Sequence, residues 1–363
     1  MVDCLIVGAG HCGLLCASLL KDAGLSYLVL DEGERVGDVW RNRPYNMTLF
    51  TSRQFCSLGE LKMPGDPKGF PLGREFADHV EQFSLVKALR VTLCSRVTRL
   101  YRDEAGFTAV LSGGETVRAR TVINATGSNQ EPIVPEFAHK LSASVIQCTA
   151  RSFTSAGMFS PEIRVAVVGD GASGRQIARE LSKSHRVTLA RGCVRLLIPN
   201  RMLGQDIFWW LNKLGLLFAG TYSLVGRILR ARNPIPAAAD NNARLTKAGV
   251  RLCDEVVDAH GAELIFRDGS RQSFDAVVWS MGYRERLDWL ELPLVCAEAP
   301  FVGSLGRTAE SGFYVVGRKW LSCRASEIIM GALADATRVT GYVAAFCRQG
   351  NSMACNKEIV ASV

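Results

Sequence analysis

The sequence predicts an α/β fold built from two Rossmann-like dinucleotide-binding domains, the second inserted into the first. Three observations predict it. "CLIVGAGHCGLLCASLL" near the start runs from an apolar strand through a glycine-rich loop into a helical pattern. "IRVAVVGDGASGRQIARELSK" repeats that plan near the middle of the chain. The 363 residues, 48% of them hydrophobic, are also enough to bury two cores.

The first loop carries Gly8, Gly10, Cys12 and Gly13, and Leu14, Leu15, Ala17, Leu19 and Leu20 continue it as a helix. Backbone N–H groups at such a helix start can approach a pyrophosphate closely. The next apolar run, "SYLVL", ends at Asp31 and Glu32, where an acid can bind an adenosine ribose hydroxyl. The second loop carries Gly169, Gly171, Ala172, Ser173 and Gly174, and its helix presents Ile177, Ala178 and Leu181 on one face. Its following strand, "HRVTLA", delivers Arg191 instead of an acid. An arginine there accommodates a 2′-phosphate, although a solvated surface arginine would read the same way. An acid in one unit and an arginine in the other suggest a resident FAD and a visiting NADPH. The FAD domain is expected over residues 1–155 and 284–363, and the NADPH domain over 156–283.

Composition narrows the function classes. Twelve cysteines are scattered singly, and the nearest pair, Cys12 and Cys16, is spaced CxxxC. No zinc-site spacing appears, so no metal is expected, and the thiols are read as reduced in a cytoplasmic chain without a signal peptide. The net charge of +8 is spread along the chain with no basic block, which suits nucleotide phosphates and an anionic substrate as well as it suits nucleic acid. No nucleic-acid role is expected, and a homo-oligomer stays open. The most apolar stretch, 207–229, is interrupted by Asn212, Lys213, Arg227 and three glycines, so it should not span a bilayer. It is expected to act as lid, pocket wall or membrane-surface contact, the first two ahead of the third, and its Trp pair is read as core.

Beyond the first loop, "VLDEGERVGDVWRNRPYNMTLFTSRQFCSLGELKMP" resembles a segment of the two-dinucleotide-fold, class B flavin monooxygenases, especially the YUCCA-type enzymes and their bacterial relatives. The likeness continues in "VINATGSNQEPIVPEF", "LIPNRMLGQDIFWWLNKL", "FDAVVWSMGYRERLDWL" and the closing "GFYVVGRKWLSCRASEIIMGALADATRVTGYVAAF". The resemblance implies Asp31 at the FAD ribose, Trp40 and Arg41 in a turn beside the flavin, and Thr51 and Ser52 near its reactive edge. It also implies cofactor contacts at Thr126 and Gly127 and at Gly317. The activity it implies is an NADPH-consuming monooxygenase, in which a flavin C4a-hydroperoxide gives one atom of O₂ to a small organic substrate by N-, S- or carbonyl-directed oxidation. With the flavin as catalyst, no histidine is needed, and none of the five is expected near the reactive segments.

The sequence departs from that family at several points. The family's Phe-x-Gly-x-x-x-His linker becomes Leu141, Ala143 and Gln147, which reads as an altered hinge. Met281 replaces a threonine in the second Ala-Thr-Gly-Tyr turn, and Asp38 replaces a glycine beside Trp40. The arginine- and glycine-rich Baeyer-Villiger signature is absent after Trp40, and so is the CxxC of disulfide reductases. Two other readings stay open: a flavin oxidase or dehydrogenase that inserts no oxygen, and a non-catalytic flavin-binding protein.

Overall fold

The computed structural model describes residues 1–44, 46–192, 196–292 and 301–360. The first sheet has eight strands among the described residues. Their order is Leu290–Glu291, Val97–Asp103, Gly106–Leu111, Thr116–Asn124, Val2–Val7, Tyr27–Leu30 and Val91–Thr92, with Phe313–Val315 also pairing against Thr116–Asn124. Strands from both ends of the chain thus share one sheet. The second sheet has five parallel strands, ordered Arg251–Cys253, Arg186–Ala190, Arg164–Val168, Ala276–Trp279 and Ile146–Thr149.

Central strands of parallel sheets are covered on both faces, so they read as continuous apolar runs instead of alternating. Cys4, Leu5 and Ile6 are fully buried, as are Ala276, Val277 and Val278. On one side of the first sheet the helix His11–Asp22 packs against the long C-terminal helix Ile329–Val360. Ala332, Ala336, Val339, Val343 and Cys347 repeat at three- and four-residue spacing, and this stripe joins Leu14, Leu15, Cys16 and Ala17 in one core. The expected C-terminal stretch 284–363 runs partly through residues outside those described.

Three sequence expectations change here. Gln147 lies in the edge strand Ile146–Thr149, not in a hinge. The strand is held by parallel pairing to Ala276–Trp279, and Gln147 accepts a 3.0 Å hydrogen bond from the indole Nε1 of Trp279. That strand belongs to the second sheet, ahead of the expected boundary at 155/156.

The apolar stretch 207–229 is divided. It folds as Ile207–Lys213 and Leu224–Arg232, because Gly215 and Gly220 interrupt the run and Ser223 caps the second helix through Gly226 N–H at 3.0 Å. Ile207, Phe208 and Leu217 pack with Ala325 and Ile328 of the closing segment. Trp209 and Trp210 stand half-buried in a T-shaped pair at 4.8 Å, so the tryptophan pair is not core.

Since Gln147 is exposed and water can replace its side chain, Gln147→Ala should lower stability by no more than about 1 kcal/mol in urea denaturation.

Candidate active site between two dinucleotide loops

Both glycine loops are built alike. Gly8 has φ +109° and Gly169 φ +106°, and a Cβ at either would lie 2.7 Å or 2.3 Å from the carbonyl oxygen of Ala125 or Ser280. A Cβ on Gly13 would sit 2.0 Å from Gly8 O, and one on Gly174 would sit 1.9 Å from Gly169 O. These four glycines let strand, turn and helix close on each other. Gly10 and Gly171 differ, since a Cβ at either meets nothing within 4 Å. Each is the N-cap of its helix without a side-chain cap. The open space and unclaimed N–H groups fit a pyrophosphate at both loops.

Around the first loop, Asp31 accepts hydrogen bonds from Ala9 N–H at 2.5 Å and Gly33 N–H at 2.8 Å, which fixes its carboxylate at the loop. Glu32 turns outward toward Arg96, 3.7 Å away. Cys12 is buried beneath Gly317, where a Cβ would approach its Sγ to 3.2 Å, and burial pushes its thiol up to about 12. Thr126 donates to Asn124 Oδ1 at 2.8 Å, and the Gly127 carbonyl accepts from Gln130 at 2.6 Å.

Arg318 crosses behind them, fully buried. It pairs with Glu285 at 2.7 Å and donates to Asn124 Oδ1, Thr126 Oγ1 and the Val316 carbonyl. Residues 124, 126 and 316 are thereby tied at one point.

A cavity of about 610 Å³ lies between the two domains. Trp40 and Thr51 line it from the first domain, and Gly169, Gly171, Ala172, Ser173 and Arg191 from the second. Other expected site residues lie elsewhere. The first loop reaches the cavity only through His11. Arg41 is turned away from it, donating to the Val36 carbonyl at 2.6 Å and pairing with Asp38, Asp78 and Glu81 at 3.3, 2.9 and 3.1 Å. Ser52 is fully buried behind Thr51, whose Oγ1 is 3.4 Å from Cys56 Sγ.

Four contributors escaped the sequence reading. His11 stands in the cavity wall against Trp40 and Phe76, with ring centroids 6.1 and 5.8 Å away, which corrects the expectation that no histidine lies near the reactive segments. Burial lowers its imidazole to about 4, so it is neutral at pH 7. Arg43 reaches the same wall over the rings of Trp40 and Tyr283, at 5.6 and 5.8 Å. Arg318 gives no signal in spacing. Asp206 precedes an apolar helix and could have been read as its cap, which it is, accepting from Phe208 N–H at 2.9 Å. Its other oxygen accepts from Ser52 N–H at 2.7 Å, fastening the insert to the Thr51 loop, and burial raises its carboxyl.

The charges in the cavity are unbalanced. Its acids are already claimed: Asp170 by Arg175 at 2.9 Å, Glu255 by Arg267 and Glu327 by Arg324. Arg43 and Arg191 have no carboxylate partner among the described residues. The Arg191 side chain donates to the Cys253 carbonyl at 3.3 Å, and the Arg43 side chain to the Val39 carbonyl at 3.3 Å. The cavity is therefore suited to anionic groups.

The sequence of residues 5–193 matches the model of the pyridine nucleotide-disulphide oxidoreductase family. The chain belongs to that family. The uncharacterized oxidoreductase CzcO-like of Geobacillus kaustophilus (strain HTA426) is 32% identical over 337 residues, covering 93% of this chain and 96% of its own. Indole-3-pyruvate monooxygenase YUCCA6 of Arabidopsis thaliana is 25% identical over 324 residues, covering 79% of this chain and 77% of its own. The solved flavin-containing monooxygenase of Stenotrophomonas maltophilia superposes with a TM-score of 0.80 at 25% identity, over 95% of this chain and 99% of that one. The oxidoreductase thus keeps company with flavin monooxygenases in sequence and in fold. Among its described residues no helix is long and apolar enough to cross a membrane.

Two outcomes are expected for the oxidoreductase. Gly174→Ala should destabilise it by about 1 to 3 kcal/mol in chemical denaturation, because the added methyl collides with backbone. The His11 imidazole titrates at 6.5 when unfolded and about 4 when folded, so the unfolded chain binds the proton first as pH falls. Its contribution to stability is complete above about pH 6.5 and is lost toward pH 4. His11→Asn should flatten melting temperature against pH across that window.

Proposed function

We propose that this protein is an FAD-dependent, NADPH-consuming monooxygenase that transfers one atom of O₂ to a small organic substrate. The observation that carries this reading is the single cavity bounded by the open second loop on one side and by Trp40 and Thr51 on the other. A flavin bound at the first domain and a nicotinamide bound at the second would meet there. When bound, the flavin supplies the redox and oxygen chemistry.

The chain supplies position, charge and dryness. The helix starts at Gly10 and Gly171 offer N–H groups to two pyrophosphates, and Asp31, fixed by Ala9 and Gly33, offers its remaining acceptor capacity to a ribose hydroxyl. Arg191, with no carboxylate partner among the described residues, supports recognition of a 2′-phosphate. Arg43 supports an anionic group on the substrate. Neutral His11 and the aromatic rings around it shield the wall from water. Thiol chemistry finds no support at Cys4, Cys12, Cys16 or Cys56, all buried, with thiols pushed up to about 12, 12, well above 9, and about 11 respectively.

The test uses FAD-loaded protein. NADPH should bleach the flavin under argon, and aeration with substrate and labelled O₂ should place one labelled atom in the product. Hydrogen peroxide formed one-for-one with NADPH, with no labelled product from any substrate class, would make the protein an oxidase. An absence of bleaching would leave it non-catalytic. Separately, Arg191→Ala should raise the KM for NADPH at least about tenfold and leave that for NADH nearly unchanged. Equal effects on both would remove the 2′-phosphate role.

A further inference from the structure

The insert exposes a run of apolar side chains, of which Tyr222 donates to the Val302 carbonyl at 3.1 Å. Over residues 203–232 the side chains of Leu203, Leu214, Phe218, Tyr222, Leu224 and Ile228 are exposed, four of them strongly: Leu203 at 84%, Leu214 at 65%, Tyr222 at 70% and Leu224 at 74%. Scattered single apolar residues on a surface need no explanation, but so many in one short stretch do. Leu224 and Ile228 lie one turn apart on the helix Leu224–Arg232, whose Gly226 is the residue packed inward, against Gly220.

Leu203 marks the tip of the hairpin between Arg201–Met202 and Gln205–Asp206. It holds φ +49° beside Gly204 at +73°, a turn position that favours asparagine, aspartate or glycine. A leucine there is both strained and exposed, so the fold gives no reason for it. Trp210 ties this tip to the first insert helix by donating to the Met202 carbonyl at 2.8 Å.

Beyond the buried Asp206 the charge of this stretch has one sign. From 207 to 239 there is no Asp or Glu, while Lys213, Arg227, Arg230 and Arg232 are exposed with no carboxylate partner among the described residues. Exposed apolar side chains interspersed with unpaired cations match the boundary between lipid headgroups and acyl chains, where apolar groups enter and arginines meet phosphates. A second copy of the chain is disfavoured, because a two-fold contact through this face would set the four cations against their own counterparts. We propose that residues 203–232 form a peripheral docking surface for a bilayer containing anionic lipid. The buried side of the insert packs on the closing segment at Ala325 and Ile328, and its exposed side rests on the membrane.

The test is co-sedimentation of the full-length FAD-loaded protein with vesicles of phosphatidylglycerol and phosphatidylcholine, against vesicles of phosphatidylcholine alone. The protein should pellet with the anionic vesicles, and less so when salt rises from about 0.1 to about 0.5 M. Leu203→Ser, Leu224→Ser and Ile228→Ser together should lower partitioning at least about tenfold. Arg227→Gln, Arg230→Gln and Arg232→Gln together should abolish the preference for anionic lipid. Unchanged flavin absorbance and NADPH oxidation in solution would show that both variants are folded. If neither vesicle is bound, or if the folded variants bind as wild type does, the proposal is wrong. It is equally overturned if the exposed face proves to be a protein interface, seen as a wild-type dimer that the leucine and isoleucine variant converts to monomer.

Discussion

Two close backbone approaches organise this molecule. At 8 and 13, and again at 169 and 174, strand, turn and helix pass so near one another that no side chain fits between them. The consequence is geometric: each helix begins immediately beyond its strand, and its first N–H groups face open space at Gly10 and Gly171 instead of a capping side chain. Everything at the site follows from where those two helix starts point. The second helps to bound the cavity, with Arg191 at the end of the neighbouring strand, while the first is separated from it by His11.

The cavity's electrostatics depend on what is neutralised as much as on what is present. Three acids in its wall are cancelled by arginines, and His11 is kept neutral by burial among aromatic rings. Arg43 and Arg191 have no carboxylate partner among the described residues. A binding space arranged in this way favours phosphates and carboxylates without placing a titrating group at the reaction centre, as expected where a cofactor carries the chemistry. Asp206 adds a mechanical link, since one buried carboxylate both caps the insert helix and holds the backbone beside Thr51.

Much of this was legible in the sequence because glycine spacing and apolar runs are local signals. Both loops, Asp31 at the end of its strand and the open-sheet architecture could be read directly. Pairing between distant segments could not. Gln147 read as part of a hinge because its segment resembles the family's linker, and only the partner at Ala276–Trp279 makes it an edge strand. The insert's apolar run continues past its first helix, and Gly215 and Gly220 divide it. Arg41 and Arg43, two residues apart in one turn, have opposite fates: the first is claimed by acids on the helix Gly73–Val86 and its own turn, and the second reaches the cavity. No one-dimensional pattern separates them. His11 escaped notice for a similar reason, since it faces Trp40 and Phe76 only after the chain has folded back.

The central claim is that two separate helix starts hold two separate dinucleotides. Gly10→Ala and Gly171→Ala test it most directly, because neither methyl meets any atom of the fold while each would enter one binding cradle. Equilibrium titration of each folded variant with FAD and with NADP⁺ should show Gly10→Ala losing FAD affinity by about a hundredfold or more, with NADP⁺ binding at the second loop changed far less; Gly171→Ala should do the reverse. A variant pair in which both substitutions weaken the same nucleotide, or in which neither weakens any, would contradict the account.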